Sequence, residues 1–105
     1  MTADKIPARI FIDIDGTLTS EPHKKWGPPI HERIQRVRDL IAAGNEVVIW
    51  TGGGTAYAAE FAAKYHLDGA LCVGKPSVLV DDNPELRPGF AKRIKDPTEF
   101  FGMLP

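Results

Sequence analysis

Apolar and polar positions along this chain alternate between two periods, and each switch of period marks an element. Residues 8–14, Ala-Arg-Ile-Phe-Ile-Asp-Ile, are apolar on both faces and predict a short β-strand in a sheet covered on both sides. From residue 30 to 43 the spacing turns helical. Ile30, Ile34, Val37, Leu40 and Ile41 form one stripe, while Glu32, Arg33, Arg36 and Asp39 face away. Gly44 supplies a stop. A second strand follows over 46–50, and a second helix over 55–65 that buries some combination of Ala59, Phe61, Ala62 and Tyr65. Asp68-Gly69 turns the chain into a third strand over 70–73, which Gly74-Lys75-Pro76 breaks before a fourth over 77–80. Beyond Pro84 the pattern weakens to a fifth strand over 90–94 and a helical turn or two over 97–103.

Strands that alternate with helices imply right-handed crossovers and parallel pairing. The expected fold is therefore α/β, a three-layer α/β/α sandwich with a mostly parallel, Rossmann-like sheet, in one domain over residues 1–105. Ligands of such sheets bind at the carboxyl ends of the strands. Asp13, Asp15, Thr51, Lys75 and Asp81 all fall at or just past predicted strand ends, which places them on one rim. Residues 16–29, rich in Pro, Gly and charge, form a loop long enough to be functional or mobile.

Composition narrows the partners more than the fold. With 105 residues, 43% of them hydrophobic and 26% charged, the chain can bury one core without staples. A net charge of −1 argues against a general nucleic-acid coat or a membrane-surface protein. No apolar stretch is long enough to span a bilayer and residues 1–5 lack a signal-peptide core, so a cytoplasmic setting is expected. The single cysteine, Cys72, lies in an apolar run and reads as a small buried hydrophobe. His23, His31 and His66 show no metal-ligand spacing.

The chemistry concentrates in Asp13-Ile14-Asp15-Gly16-Thr17. Strand alternation turns Asp13 and Asp15 to one side, Gly16 permits a sharp turn, and Thr17 adds a hydroxyl and an amide at its mouth. Two acids at the end of a buried strand are costly without a cation between them, which points to a hard divalent metal and a phosphate.

This run, then Thr51 after the second strand, then Lys75, then Asp81-Asp82 after the fourth, resembles the four ordered motifs of the haloacid dehalogenase superfamily, over residues 8–84. The resemblance implies that Asp13 attacks phosphorus and carries an aspartyl-phosphate, while Asp15 serves as general acid and then general base. Acid at position 15 implies phosphoryl transfer rather than dehalogenation. Thr51, with the amides of Gly52 and Gly53, would hold a phosphoryl oxygen, and Lys75 would neutralise its charge. Asp13, Asp15 through its backbone carbonyl, and Asp81 would bind Mg²⁺, with Asp82 an outer ligand or a hydrogen-bond anchor. Thr17 would line the substrate side of the turn.

Neither interval between motifs has room for a cap domain, so the capless subclass is the one resembled. An open site suits a small phosphorylated molecule, an exposed phosphate on a macromolecule such as a nucleic-acid 3′ end, or a site covered by a second copy in a homo-oligomer. Lys24, Lys25 and Trp26 have two readings. Either they contact an anionic substrate, or the segment is a charged surface loop with Trp26 folded onto the core. The expected activity is Mg²⁺-dependent hydrolysis of a phosphomonoester. Phosphotransfer to another acceptor and a non-enzymatic module that binds Mg²⁺ and phosphate stand as alternatives.

Overall fold

The structure, a computed structural model, describes residues 8–22, 26–82 and 93–104. Eight elements follow one another: β1 (Arg9–Ile12), α1 (His31–Ala42), β2 (Glu46–Thr51), α2 (Thr55–Lys64), β3 (Leu71–Gly74), β4 (Val78–Val80), β5 (Arg93–Lys95) and α3 (Pro97–Met103). They divide into two compact units, Met1–Gly74 and Lys75–Pro105.

In the first unit β1, β2 and β3 form a parallel sheet in that order, with Ile12 opposite Ile49 and Thr51 opposite Gly74. Parallel neighbours need a crossover, and α1 and α2 supply the two. Alternation along β2 sorts its side chains. Val47 and Ile49 join Ile34 and Val37 of α1, Ala58, Phe61 and Ala62 of α2, and Ile14, Leu18 and Leu67 in one buried cluster. Both helices therefore cover the same face. The other face carries Phe11 and Trp50, with ring centroids 4.7 Å apart, and the exposed Leu71 and Val73.

No side chain caps the N-terminus of α1; it is held through Ile34 and Val37 in the core, with Leu40 and Ile41 packed against it. At its other end Asn45, 7% exposed, donates to the Leu40 carbonyl at 3.0 Å and accepts from the Ala8 amide at 3.2 Å. That buried amide fastens the end of α1 to the start of β1. Asn45→Ala leaves the Ala8 amide without this acceptor and is expected to cost about 1–3 kcal/mol, read as a lower urea midpoint at unchanged m-value. The Arg9–Glu46 pair, 2.7 Å apart on neighbouring strands, is exposed and adds little.

The predicted elements appear with shifted ends. The strand expected over 8–14 runs only over Arg9–Ile12, because the Ile14 carbonyl accepts the amides of Thr17, Leu18 and Thr19 instead of a ladder partner. In α2 the buried alanine near the helix start is Ala58, and Ala59 is exposed. The expected core position was one residue out of register with the helix face.

In the second unit β4 and β5 pair in parallel, with Leu79 opposite Ile94. Of the strand expected over 90–94, residues 90–92 lie outside the described residues; the observed strand is Arg93–Lys95. Asp96 caps α3 by accepting from the Glu99 amide at 3.2 Å, with Pro97 at the first helical position. Among the described residues no helix is long and apolar enough to cross a membrane.

Candidate functional site

The site grows from the end of β1. Beyond Ile12 the burial alternates: Asp13 is half-buried, Ile14 fully buried and Asp15 half-buried. Ile14 enters the core, while the acids on either side of it stay partly exposed. The Ile14 carbonyl gathers the amides of Thr17, Leu18 and Thr19 at 3.0, 2.8 and 3.1 Å, which closes a tight turn. Gly16 sits in that turn at φ +82°, where a side chain is strained, and a Cβ there would lie 3.1 Å from the Pro22 Cβ. The Thr17 hydroxyl is 3.5 Å from Asp13 Oδ2, and Arg33 of α1 donates to the Thr17 carbonyl at 2.9 Å.

Thr51 closes β2 at the same end of the sheet. In register, Ile49 stands opposite Ile12, so Thr51 comes two residues later on its strand as Ile14 does on its own. The Thr51 side chain is 2% exposed, and its hydroxyl accepts from the Gly53 amide at 3.1 Å. A hydroxyl that accepts in this way still has its own proton to donate. Gly52 and Gly53 are exposed.

One residue of this rim was not visible as a candidate in the sequence. Tyr57, in the first turn of α2, places its hydroxyl 2.8 Å from both carboxylate oxygens of Asp15 and donates to them. The same hydroxyl accepts from the Trp26 amide at 3.2 Å. Burial pushes the Tyr57 pKa up, and its hydrogen bond to Asp15 adds to this; the Trp26 amide opposes it, and the charges of Asp15 and Asp13 raise it further. Tyr57 thus keeps its proton as a donor around neutral pH. The available signal was a lone tyrosine two residues into the helix behind a glycine run, since a partly buried phenol needs a partner.

Trp26 is half-buried and packs on the core cluster, 6.0 Å from the Tyr57 ring and 6.2 Å from Phe61. The Lys64 ammonium lies 5.2 Å from the Trp26 ring. Of the two readings of the loop, this packing supports the folded-in tryptophan. Trp26→Ala is expected to lower stability by about 2 kcal/mol in chemical denaturation, the lower part of the range for a large ring because the site is only half-buried. Lys24 and Lys25 lie outside the described residues. The base of the loop is closed by Ser20 donating to the Pro28 carbonyl and Ile30 to the Leu18 carbonyl, at 2.9 and 2.8 Å.

The first unit therefore brings together Asp13, Asp15 and Thr17 on one turn, with Thr51, Gly52 and Gly53 at the end of the adjacent strand. Lys75, Asp81 and Asp82 belong to the second unit, the first two half-buried and Asp82 exposed. Among the described residues no group of three or more His, Cys, Asp or Glu gathers to hold a metal. The acids of the turn offer oxygen donors alone, the chemistry of a hard cation such as Mg²⁺. Cys72 is half-buried and burial pushes its thiol pKa up, which disfavours a reactive thiolate. No protein-family model, curated protein or solved structure matches this chain.

Proposed function

We propose that the chain is a Mg²⁺-dependent phosphatase of the haloacid dehalogenase type that hydrolyses a phosphomonoester through an aspartyl-phosphate on Asp13. The observation that carries this is the pair Asp13 and Asp15, both partly exposed on one tight turn at the carboxyl end of β1, beside the end of β2 that bears Thr51. Two acids that flank a buried residue on one turn support a shared use.

In this mechanism an Asp13 oxygen attacks phosphorus and the bond to the leaving oxygen breaks. Asp15 gives its proton to that oxygen, then takes one from the water that attacks the phosphoaspartate. Phosphate leaves and both carboxylates return to their starting state. The Thr17 hydroxyl steadies Asp13, and Thr51 keeps its proton for a phosphoryl oxygen while it holds the Gly53 amide. By the resemblance read in the sequence, Lys75 would balance phosphoryl charge, and Asp13, Asp15 through its carbonyl, Asp81 and Asp82 would be the residues to hold Mg²⁺. Bound there, Mg²⁺ supplies positive charge against the phosphoryl oxygens.

The finer architecture belongs to the same proposal: a three-layer sandwich without a cap. The apolar face with Phe11, Trp50, Leu71 and Val73 supports it, since such a face calls for a covering layer. The test is Mg²⁺-dependent phosphate release across nucleotides, sugar phosphates and 3′-phosphorylated oligonucleotides, with added alcohols as competing acceptors. Turnover of at least one class, suppressed by a chelator, is expected. A panel that is inert throughout overturns the proposal and leaves the non-enzymatic module, while product phosphorylated on the alcohol identifies a phosphotransferase.

A further inference from the structure

We infer that Tyr57 is a positioning residue that ties the Trp26 backbone to the carboxylate of Asp15, so that Trp26 and the general acid move as one. Its catalytic consequence rests on the phosphatase proposal above; the link itself rests on geometry alone.

A phenol has one proton and two lone pairs, and here both functions are used across different segments. The proton goes to Asp15, shared between its two oxygens at 2.8 Å, and a lone pair takes the Trp26 amide at 3.2 Å. The ring is fixed by a third segment. A Cβ on Gly53 would lie 2.9 Å from Tyr57 Cγ, so the ring is seated against the backbone of the loop that follows Thr51. The Trp26 ring lies 6.0 Å away, tilted 52° to it. Trp26 itself holds φ at +43°, a left-handed conformation disfavoured for a bulky residue, so its amide direction depends on the surroundings that hold it. The turn with the acids, the Trp26 segment and the glycine loop thus meet on one side chain.

Two consequences follow. Asp15 is held in one orientation before substrate arrives, which is where a positioning contact acts on the chemical step rather than on binding. A substrate that shifts Trp26 also shifts the hydroxyl that orients Asp15, so displacement of Trp26 is felt at the proton donor.

Tyr57→Phe keeps the ring against Gly53 and removes only the oxygen. Two readouts test the inference. The first is amide hydrogen exchange at Trp26 in the metal-free protein: Tyr57→Phe is expected to speed it about tenfold, Asp15→Ala to speed it as well, and the double variant to exchange no faster than Tyr57→Phe. The second is leaving-group dependence. If the hydroxyl orients the acid, kcat on an alkyl phosphate falls about tenfold with KM within about twofold, and falls less on p-nitrophenyl phosphate, whose leaving group needs little protonation.

Unchanged Trp26 exchange in Tyr57→Phe, or additive effects in the double variant, overturns the link. Equal losses of kcat on both esters overturn the positioning role. A wild-type protein inert on both esters and across the whole panel above defeats the phosphatase proposal, and the exchange cycle alone then upholds or overturns the link between Trp26 and Asp15.

Discussion

Asp13→Asn is expected to lower Mg²⁺-dependent phosphate release by at least about 10³-fold in kcat while the chain folds as before. An amide oxygen is a poor nucleophile, and without attack by residue 13 no aspartyl-phosphate forms. At saturating Mg²⁺, where the loss of a metal donor is not limiting, loss of the nucleophile lowers kcat and kcat/KM together. The fold has little stake in the charge. Asp13 lies beyond the last ladder pair of β1 and is half-buried, and an asparagine oxygen can still accept from the Thr17 hydroxyl. Phosphate release and thermal unfolding should be measured on the same sample. Activity within tenfold of wild type removes Asp13 from the nucleophile's role. A collapsed melting transition shows instead that the acid serves the turn.

The same variant separates enzyme from binding module. If the wild type turns over no ester yet binds Mg²⁺, the acids serve a cation site without chemistry. Asp13→Asn then weakens Mg²⁺ binding without any kinetic signature. If turnover exists, trapping of phosphate on the protein by acid quench is expected for wild type and absent from Asp13→Asn.

Much of the first unit was legible because its apolar positions obey one period at a time. Ile34 and Val37 keep a helical spacing and are buried where it places them, and the strand expected over 46–50 carries the buried Val47, Val48 and Ile49. The end of β1 was misplaced for a local reason. Ile14 continues the apolar alternation perfectly well, but its carbonyl serves three amides of the turn, a competition that residue types do not display. The acids could be singled out for the opposite reason, since what is expected of them rests on residue type and spacing. Tyr57 was not, because its role depends on meeting Asp15 and Trp26, 42 and 31 positions away. Asn45 was equally hidden. Its polarity beside a strand reads as a turn, while its hydrogen bonds reach back to Ala8. Long-range partners of polar side chains are set by crossover geometry, and periodicity carries no record of that.

The largest expected effect on stability comes from the core beneath the site. Phe61 is fully buried on α2, packs 4.7 Å from the Tyr65 ring and 6.2 Å from Trp26, and belongs to the cluster with Ile14, Ile34 and Ile49. Phe61→Ala is expected to cost about 3–5 kcal/mol, from lost transfer energy plus the cavity left among residues of two helices and the sheet. A domain of this size has on the order of 5–15 kcal/mol in total, so the variant should unfold at much lower urea or remain unfolded at 37 °C. Phe61→Leu refills most of the volume and should cost less than half as much. The ring also backs Trp26, whose amide bonds the Tyr57 hydroxyl, so the same cavity loosens the contact that orients Asp15. In Phe61→Leu, kept folded, the Trp26 emission should therefore shift toward that of exposed tryptophan, and activity should fall by more than the unfolded fraction. A Phe61→Leu protein with wild-type emission and activity in strict proportion to its folded fraction shows that the core supports the acids only by keeping the chain folded.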